Sequence, residues 1–286
     1  MSRRRRRGRR LSGRRPHHCD LRAYGRTGAG RPHRPYGREE VSARGGAGVR
    51  LIALGDSITR GRSSAPWLPL IDLPVGAAVI NAGVDGDRIE DALRRLPGLP
   101  LRSATHIVVL LGTNDVLLRL RQGRRPPRAD QLIHPEGAHG LRRDLSRLLA
   151  QLRRGSSSAI AVCALPPVGE HGRDDAAQVV REANSALRAA CKEAGVPCLP
   201  LDVLLGDSRR RHAPAPGPGP SFGGRGMLLR TALRHSLLGW SFTRCAAAEG
   251  FVALCDGVHL SERGAQALAS LVSEWVDGTR EAGGAL

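Results

Sequence analysis

From Val49 onward, short unbroken apolar runs alternate with segments whose apolar residues recur every three to four positions. The runs at 50–54, 78–82 (AVINA), 105–111 (THIVVLL), 159–165 (AIAVCAL) and 197–201 predict strands. Helical periodicity near 87–96, 138–153, 174–194 and 261–277 separates or follows them. Strands that are apolar throughout, rather than alternating, are buried on both faces, and helices between them provide the cover. The pattern therefore predicts an α/β domain with a parallel central sheet.

Two stretches break the alternation. A polar, Arg/Pro-rich segment near 119–137 and a Pro/Gly-rich one near 206–226 are expected to be surface insertions. Residues 227–243 (MLLRTALRHSLLGWSFT) predict an apolar helix, with Leu229, Leu233, Leu237 and Trp240 spaced by four, four and three. Ordinary core packing is the preferred role for that stripe; a lid or wall of an acyl pocket is the sharper alternative.

Charge changes the picture at one end only. Residues 1–50 hold 16 Arg against Asp20, Glu39 and Glu40, which accounts for +13 of the formal +19. The folded body is thus only mildly basic. Residues 1–48 are rich in Arg, Gly and Pro, show no periodicity, and are expected to be a disordered tail. An organelle transit peptide, a polybasic arm for nucleic acid or an import receptor, and a non-functional extension all fit that composition. The targeting and non-functional readings are preferred, because no aromatic-interleaved RNA module accompanies the arm.

Composition also excludes several classes. Lys192 is the sole lysine, so there is no P-loop. Six cysteines at 19, 163, 191, 198, 245 and 255 form neither C-x-x-C nor a zinc spacing, and a reducing compartment, hence an intracellular protein, is the simpler assumption. No apolar run reaches 18 residues, so no membrane span is expected, and the amino terminus lacks the apolar core of a secretory signal.

Chemistry concentrates at the predicted strand ends. The first run stops at Gly55-Asp56-Ser57, the second leads into Asn81-Ala82-Gly83-Val84-Asp85-Gly86, and the third into Gly112-Thr113-Asn114-Asp115. A fourth motif, Asp256-Gly257-Val258-His259, precedes the last helix. In a doubly wound sheet the carboxyl ends of the strands form one ligand-binding edge. A serine nucleophile needs a positioned base, usually histidine, and the histidine needs a partner on its other nitrogen. Asp256, three residues before His259, can be that partner within one turn. Backbone N–H groups of Ser57 and Gly83, with the Asn114 amide, would supply oxyanion donors. Asp56 and Asp115 are read as turn-shaping residues.

With these four blocks the chain resembles the SGNH hydrolases, the GDSL-type esterases and lipases, over about residues 49–278. The resemblance rests on Ser57 in GDSIT, Gly83 in NAGVDG, Asn114 in GTND, and Asp256 with His259 in DGVH. It implies a flavodoxin-like three-layer α/β/α sandwich over residues 49–280. Ser57 is then the nucleophile, His259 the base, Asp256 the orienting carboxylate, and Gly83 and Asn114 members of the oxyanion hole. No cofactor or metal is implied, and the partner is a small-molecule carboxylic ester. Ile58 stands where the narrower signature has leucine. A conventional α/β-hydrolase is disfavoured, since Thr59 occupies the last position of G-x-S-x-G. A metal hydrolase is disfavoured by the lack of H-E-x-x-H. The remaining alternative keeps the fold without catalysis and uses the Arg-rich arm on nucleic acid.

Overall fold

The computed structural model of the chain describes residues 48–122, 138–170, 174–212 and 225–284. Five strands carry the architecture: β1 Arg50–Gly55, β2 Ala78–Gly83, β3 His106–Leu110, β4 Ala159–Cys163 and β5 Cys198–Leu199. They form one sheet in the order β2-β1-β3-β4-β5, every adjacent pair parallel. All five apolar runs read from the sequence are strands, within a few residues at their ends. The order is that of flavodoxin-like sheets, with the switch in winding direction between β1 and β3.

The strands are apolar on both faces because both faces are covered. In β1, Ile52 and Leu54 point into one core while Leu51 and Ala53 point into the other. Helices α2 (Ile89–Arg95), α3 (Thr113–Gln122), α4 (Ala138–Gly155) and α5 (Asp174–Ala194) cover the first face. The short α1 (Ser57–Arg60), α6 (Leu201–His212), α8 (Phe242–Ala248) and α9 (Glu262–Gly284) cover the second. α4 shows why such a helix forms and docks: Leu141, Leu145, Leu148, Leu149 and Leu152 make one buried stripe among arginines. The result is a three-layer α/β/α sandwich.

Three expectations need correction. Residues 119–122 belong to α3 rather than to an insertion, because Val116 and Leu117 bury its inner face beside an otherwise arginine-rich surface. Likewise 206–212 complete α6, and 225–226 begin α7 (Arg225–Leu238). The remainder of both insertions, 123–137 and 213–224, lies outside the described residues, as does the tail expected over 1–48 except Gly48. The third correction concerns the 227–243 stripe. α7 exists, but Leu229, Leu233 and Leu237 are exposed; its inward residues are Met227, packed with Ala246 and Phe251, and Thr231. Core packing is overturned for the three leucines, while Trp240, beyond the end of α7, is half-buried against the second core.

Candidate active site

Ser57 stands at the switch point, as the first residue of α1 directly after β1. Asp56 caps the helix, its Oδ1 accepting the Ile58 N–H at 2.9 Å. The turn is tight enough that a side chain at Gly55 would collide with the Thr59 hydroxyl. Gly83, paired in register with Gly55, lies so close to α1 that a Cβ there would strike the Arg60 N–H. Two glycines thus let β1, β2 and α1 meet at one corner.

His259 arrives from a different part of the chain. Its Nε2 is 3.0 Å from Ser57 Oγ, and its Nδ1 is 2.7 Å from Asp256 Oδ2. With Nδ1–H donating to the carboxylate, Nε2 is the acceptor that faces the serine hydroxyl. Asp256 Oδ1 is itself held by the backbone N–H groups of Val258 and His259, at 3.0 and 2.8 Å. An antiparallel bridge between Leu254 and Leu260 closes the loop, with the Cys255 N–H donating to the His259 carbonyl at 2.8 Å. Ser64 and Ala65, just after α1, bond the Leu260 N–H and carbonyl, so the serine and histidine segments are tied together directly.

The base of this loop depends on Glu170, which sequence reading missed. Its carboxylate, 2% exposed, accepts the N–H groups of Val252, Ala253 and Leu254 at 2.8, 2.6 and 2.5 Å. Next to it, the Gly169 N–H donates to the Gly257 carbonyl at 2.7 Å. Buried carboxylates need such donors, and three converging N–H groups satisfy one well. Nothing local signals this role, because its partners lie more than eighty residues away.

The assigned oxyanion donors are near this centre but already have acceptors. Gly83 donates its N–H to Asn81 Oδ1 at 3.0 Å. Asn114, in the first turn of α3, donates its amide to the Asp87 carbonyl at 2.9 Å and to Asp56 Oδ2 at 3.3 Å. Behind them Arg95 bonds Asp87 Oδ2 at 2.6 Å and the Gly55 carbonyl at 3.0 Å, a largely buried ion pair locking the ends of β1 and β2. Asp115, in the first turn of α3, accepts the Ile89 N–H at the start of α2, at 3.4 Å, a contact between two helices rather than a local turn.

Electrostatics couple these groups. Burial pushes the Asp56 carboxyl up to about 7, against the opposing pull of the Ile58 N–H and the His259 charge. For His259, burial acts to lower the pKa. The hydrogen bond and charge of Asp256, with the charges of Asp56 and Asp85, outweigh it and leave the imidazole above its ordinary value. Of the other histidines, His212 is exposed and bonds the Ser208 carbonyl, while His235 stacks on Phe242. Among the described residues, no group of three His, Cys, Asp or Glu is arranged to hold a metal, and no helix is long and apolar enough to cross a membrane.

Comparison with known proteins identifies the family and the fold. The family model described as GDSL-like lipase/acylhydrolase matches residues 53–267. A search of the curated proteins finds no match. Among solved structures, an acetylxylan esterase from Geobacillus stearothermophilus superposes with a TM-score of 0.55 at 16% identity, covering 79% of this chain and 93% of its own. An acetyl xylan esterase, AlAXEase, gives a TM-score of 0.52 at 16% identity, covering 80% and 99%. At that identity the likeness concerns the fold.

Proposed function

The chain belongs to the GDSL-like lipase/acylhydrolase family and is a carboxylic ester hydrolase, and on that footing we propose that it works through an acyl-serine intermediate on Ser57. The observation that carries this reading is the unbroken line Ser57 Oγ–His259 Nε2 (3.0 Å) and His259 Nδ1–Asp256 Oδ2 (2.7 Å). In the first half-reaction His259 takes the Ser57 proton while Oγ bonds to the ester carbonyl carbon. The C–O bond to the alcohol then breaks, and His259 returns the proton to the departing oxygen. In the second, His259 takes a proton from water, whose oxygen attacks the acyl carbon. The carboxylic acid leaves and Ser57 regains its proton. Asp256 keeps the imidazole in the tautomer that accepts at Nε2 and stabilises the imidazolium.

The tetrahedral oxyanion would take hydrogen bonds from the Ser57 N–H, from the Asn114 amide, and from the Gly83 N–H once it gives up its bond to Asn81 Oδ1. The Ser57 N–H, at the first helical position of α1, has no intrahelical acceptor. Asn114 would exchange its longer bond, to Asp56, for one to the oxyanion. The reaction as written needs no cofactor. The non-catalytic alternative gains no support from the family match, and its arm lies outside the described residues.

The test is hydrolysis of p-nitrophenyl esters, from acetyl to palmitoyl, by the full chain beside Ser57→Ala. Turnover that vanishes in the variant is expected. Turnover that survives it would overturn the serine mechanism.

A further inference from the structure

Helix α7 turns its leucines away from the protein. At about 100° per residue, Leu229, Leu233 and Leu237 fall on one strip, opposite the buried Met227 and Thr231; they are 51%, 46% and 74% exposed. Leu238, at the end of the helix, is 65% exposed, and the chain then turns through the exposed Gly239. Contiguous leucines facing water are uncommon on a soluble chain unless something covers them.

The border of the strip says what that cover is. Trp240 follows directly, half-buried with one side against the second core, and the Arg244 guanidinium is 4.1 Å and that of Arg234 5.4 Å from its ring centroid. Residues 225–249 contain four arginines against one acid, Glu249, which pairs with Arg230 and Arg234 at 3.1 and 2.5 Å and leaves Arg244 beside the tryptophan. Leucines in the acyl region, tryptophan at headgroup level and guanidinium groups toward phosphate are the residue chemistry of a helix lying on an anionic membrane surface. A second copy of the chain fits less well. A two-fold pairing would set arginine-bordered strips face to face.

We propose that the outer face of α7, ending in the Leu237–Leu238 corner, docks on an anionic lipid surface. The inner face links this surface to the site: Thr231 donates its hydroxyl to the carbonyl of Cys255, the residue before Asp256, at 3.3 Å. Docking therefore sets the Asp256–His259 loop on the far side of α7 from the membrane, one helix diameter (~10 Å) away, and favours membrane-borne esters. That substrate preference rests on the serine hydrolysis proposed above; docking itself does not require it.

The experiment is cosedimentation of the full chain with vesicles of phosphatidylcholine and phosphatidylserine. At about 0.5 M salt, where the Debye length is roughly 4 Å, attraction by the arginine-rich first fifty residues is screened and leucine burial persists. Leu237→Ser with Leu238→Ser should lower partition at least tenfold, with turnover of a soluble acetyl ester unchanged. At about 0.15 M salt, Arg244→Gln should lower partition onto these vesicles roughly fivefold and leave partition onto phosphatidylcholine alone unaltered. Equal partition of the leucine variant and its parent would overturn the proposal. So would a dimer that the leucine substitutions dissociate in a chain that does not sediment with vesicles. Ser57→Ala should sediment like its parent, so loss of catalysis and loss of docking are read separately.

Discussion

Asp56 joins the serine turn to Asn114: one carboxylate oxygen caps α1 through the Ile58 N–H at 2.9 Å, and the other accepts the Asn114 amide at 3.3 Å. The residue next to the assigned nucleophile thus also engages a proposed oxyanion donor. It is fully buried and its charge acts on His259.

Asp56→Asn should move the acid limb of kcat/KM to lower pH. Asp56 raises the His259 pKa through its negative charge, so a neutral amide lets the imidazole lose its proton more easily. The limb in the parent should lie above pH 6.5, the ordinary value from which His259 is raised. A pH profile of kcat/KM from about pH 5 to 9 checks both statements; a limb that stays put or moves upward contradicts the coupling.

The same substitution has a stability signature. The Asp56 carboxyl is raised from 3.8 to about 7, so the folded chain binds the proton more tightly than the unfolded one. Stability from this group is present below about pH 4 and is lost as pH rises toward 7. The amide does not titrate. The Tm advantage of Asp56→Asn over its parent should therefore be larger at pH 8 than at pH 5. An advantage independent of pH would show that Asp56 does not titrate across that window.

Glu170→Gln should lower kcat more than it raises KM. A carboxamide offers one acceptor oxygen to the three N–H groups of Val252, Ala253 and Leu254, and turns its own N–H toward them. Each buried donor left without an acceptor costs about 1–3 kcal/mol, and the strained segment ends two residues before Asp256. Steady-state kinetics, run well below the variant's melting temperature, should give a kcat loss of about tenfold or more. A variant that melts early but turns over normally would restrict Glu170 to stability.

Arg95→Met tests the support beneath the strand ends. It leaves the Asp87 carboxylate without its guanidinium partner in a site where both side chains are largely buried. Removing one member of a buried pair costs up to about 3–5 kcal/mol when the other is left uncompensated, and less where the other keeps a further contact. The Asp87 carbonyl holds the Asn114 amide, so kcat should fall as well. Denaturant unfolding and kinetics on one preparation measure both; a loss below about 1 kcal/mol would mean that the pair is dispensable.

Much of this site could be read in the sequence, for a specific reason. Ser57, Gly83, Asn114 and the Asp256–His259 pair sit in short motifs at the ends of apolar runs or before a helix, and the parallel sheet gathers the strand ends on one edge. What stayed hidden acts at a distance. Glu170 looks like a solvated charge on any local reading because its partners are backbone groups more than eighty residues away, and Arg95 because it bonds the Asp87 carboxylate eight residues back and the Gly55 carbonyl forty back. For α7, periodicity found the helix but ran it to 243, past its end at Leu238; four-residue spacing states which leucines share a face. It does not state what lies across from that face, and here Leu229, Leu233 and Leu237 are exposed. In α3, arginines at 119 and 121 masked a helix held by Val116 and Leu117.

Asn114→Ala should reduce kcat by about 10²–10³ with little change in KM. The amide would meet the oxyanion only after charge develops on the ester oxygen, so its loss falls on the transition state rather than on bound substrate. The substitution also removes the bond to the Asp87 carbonyl at 2.9 Å, which is a ground-state contact and should appear as a small drop in Tm. Asn114→Asp separates the two effects. It matches the parent in shape, but its carboxylate adds negative charge beside Asp56 and faces the developing oxyanion. It should therefore be slower than Asn114→Ala. If both variants kept the parent's kcat, the Ser57 and Gly83 N–H groups alone would be the donors, and Asn114 would be left to hold Asp87 and Asp56 in place.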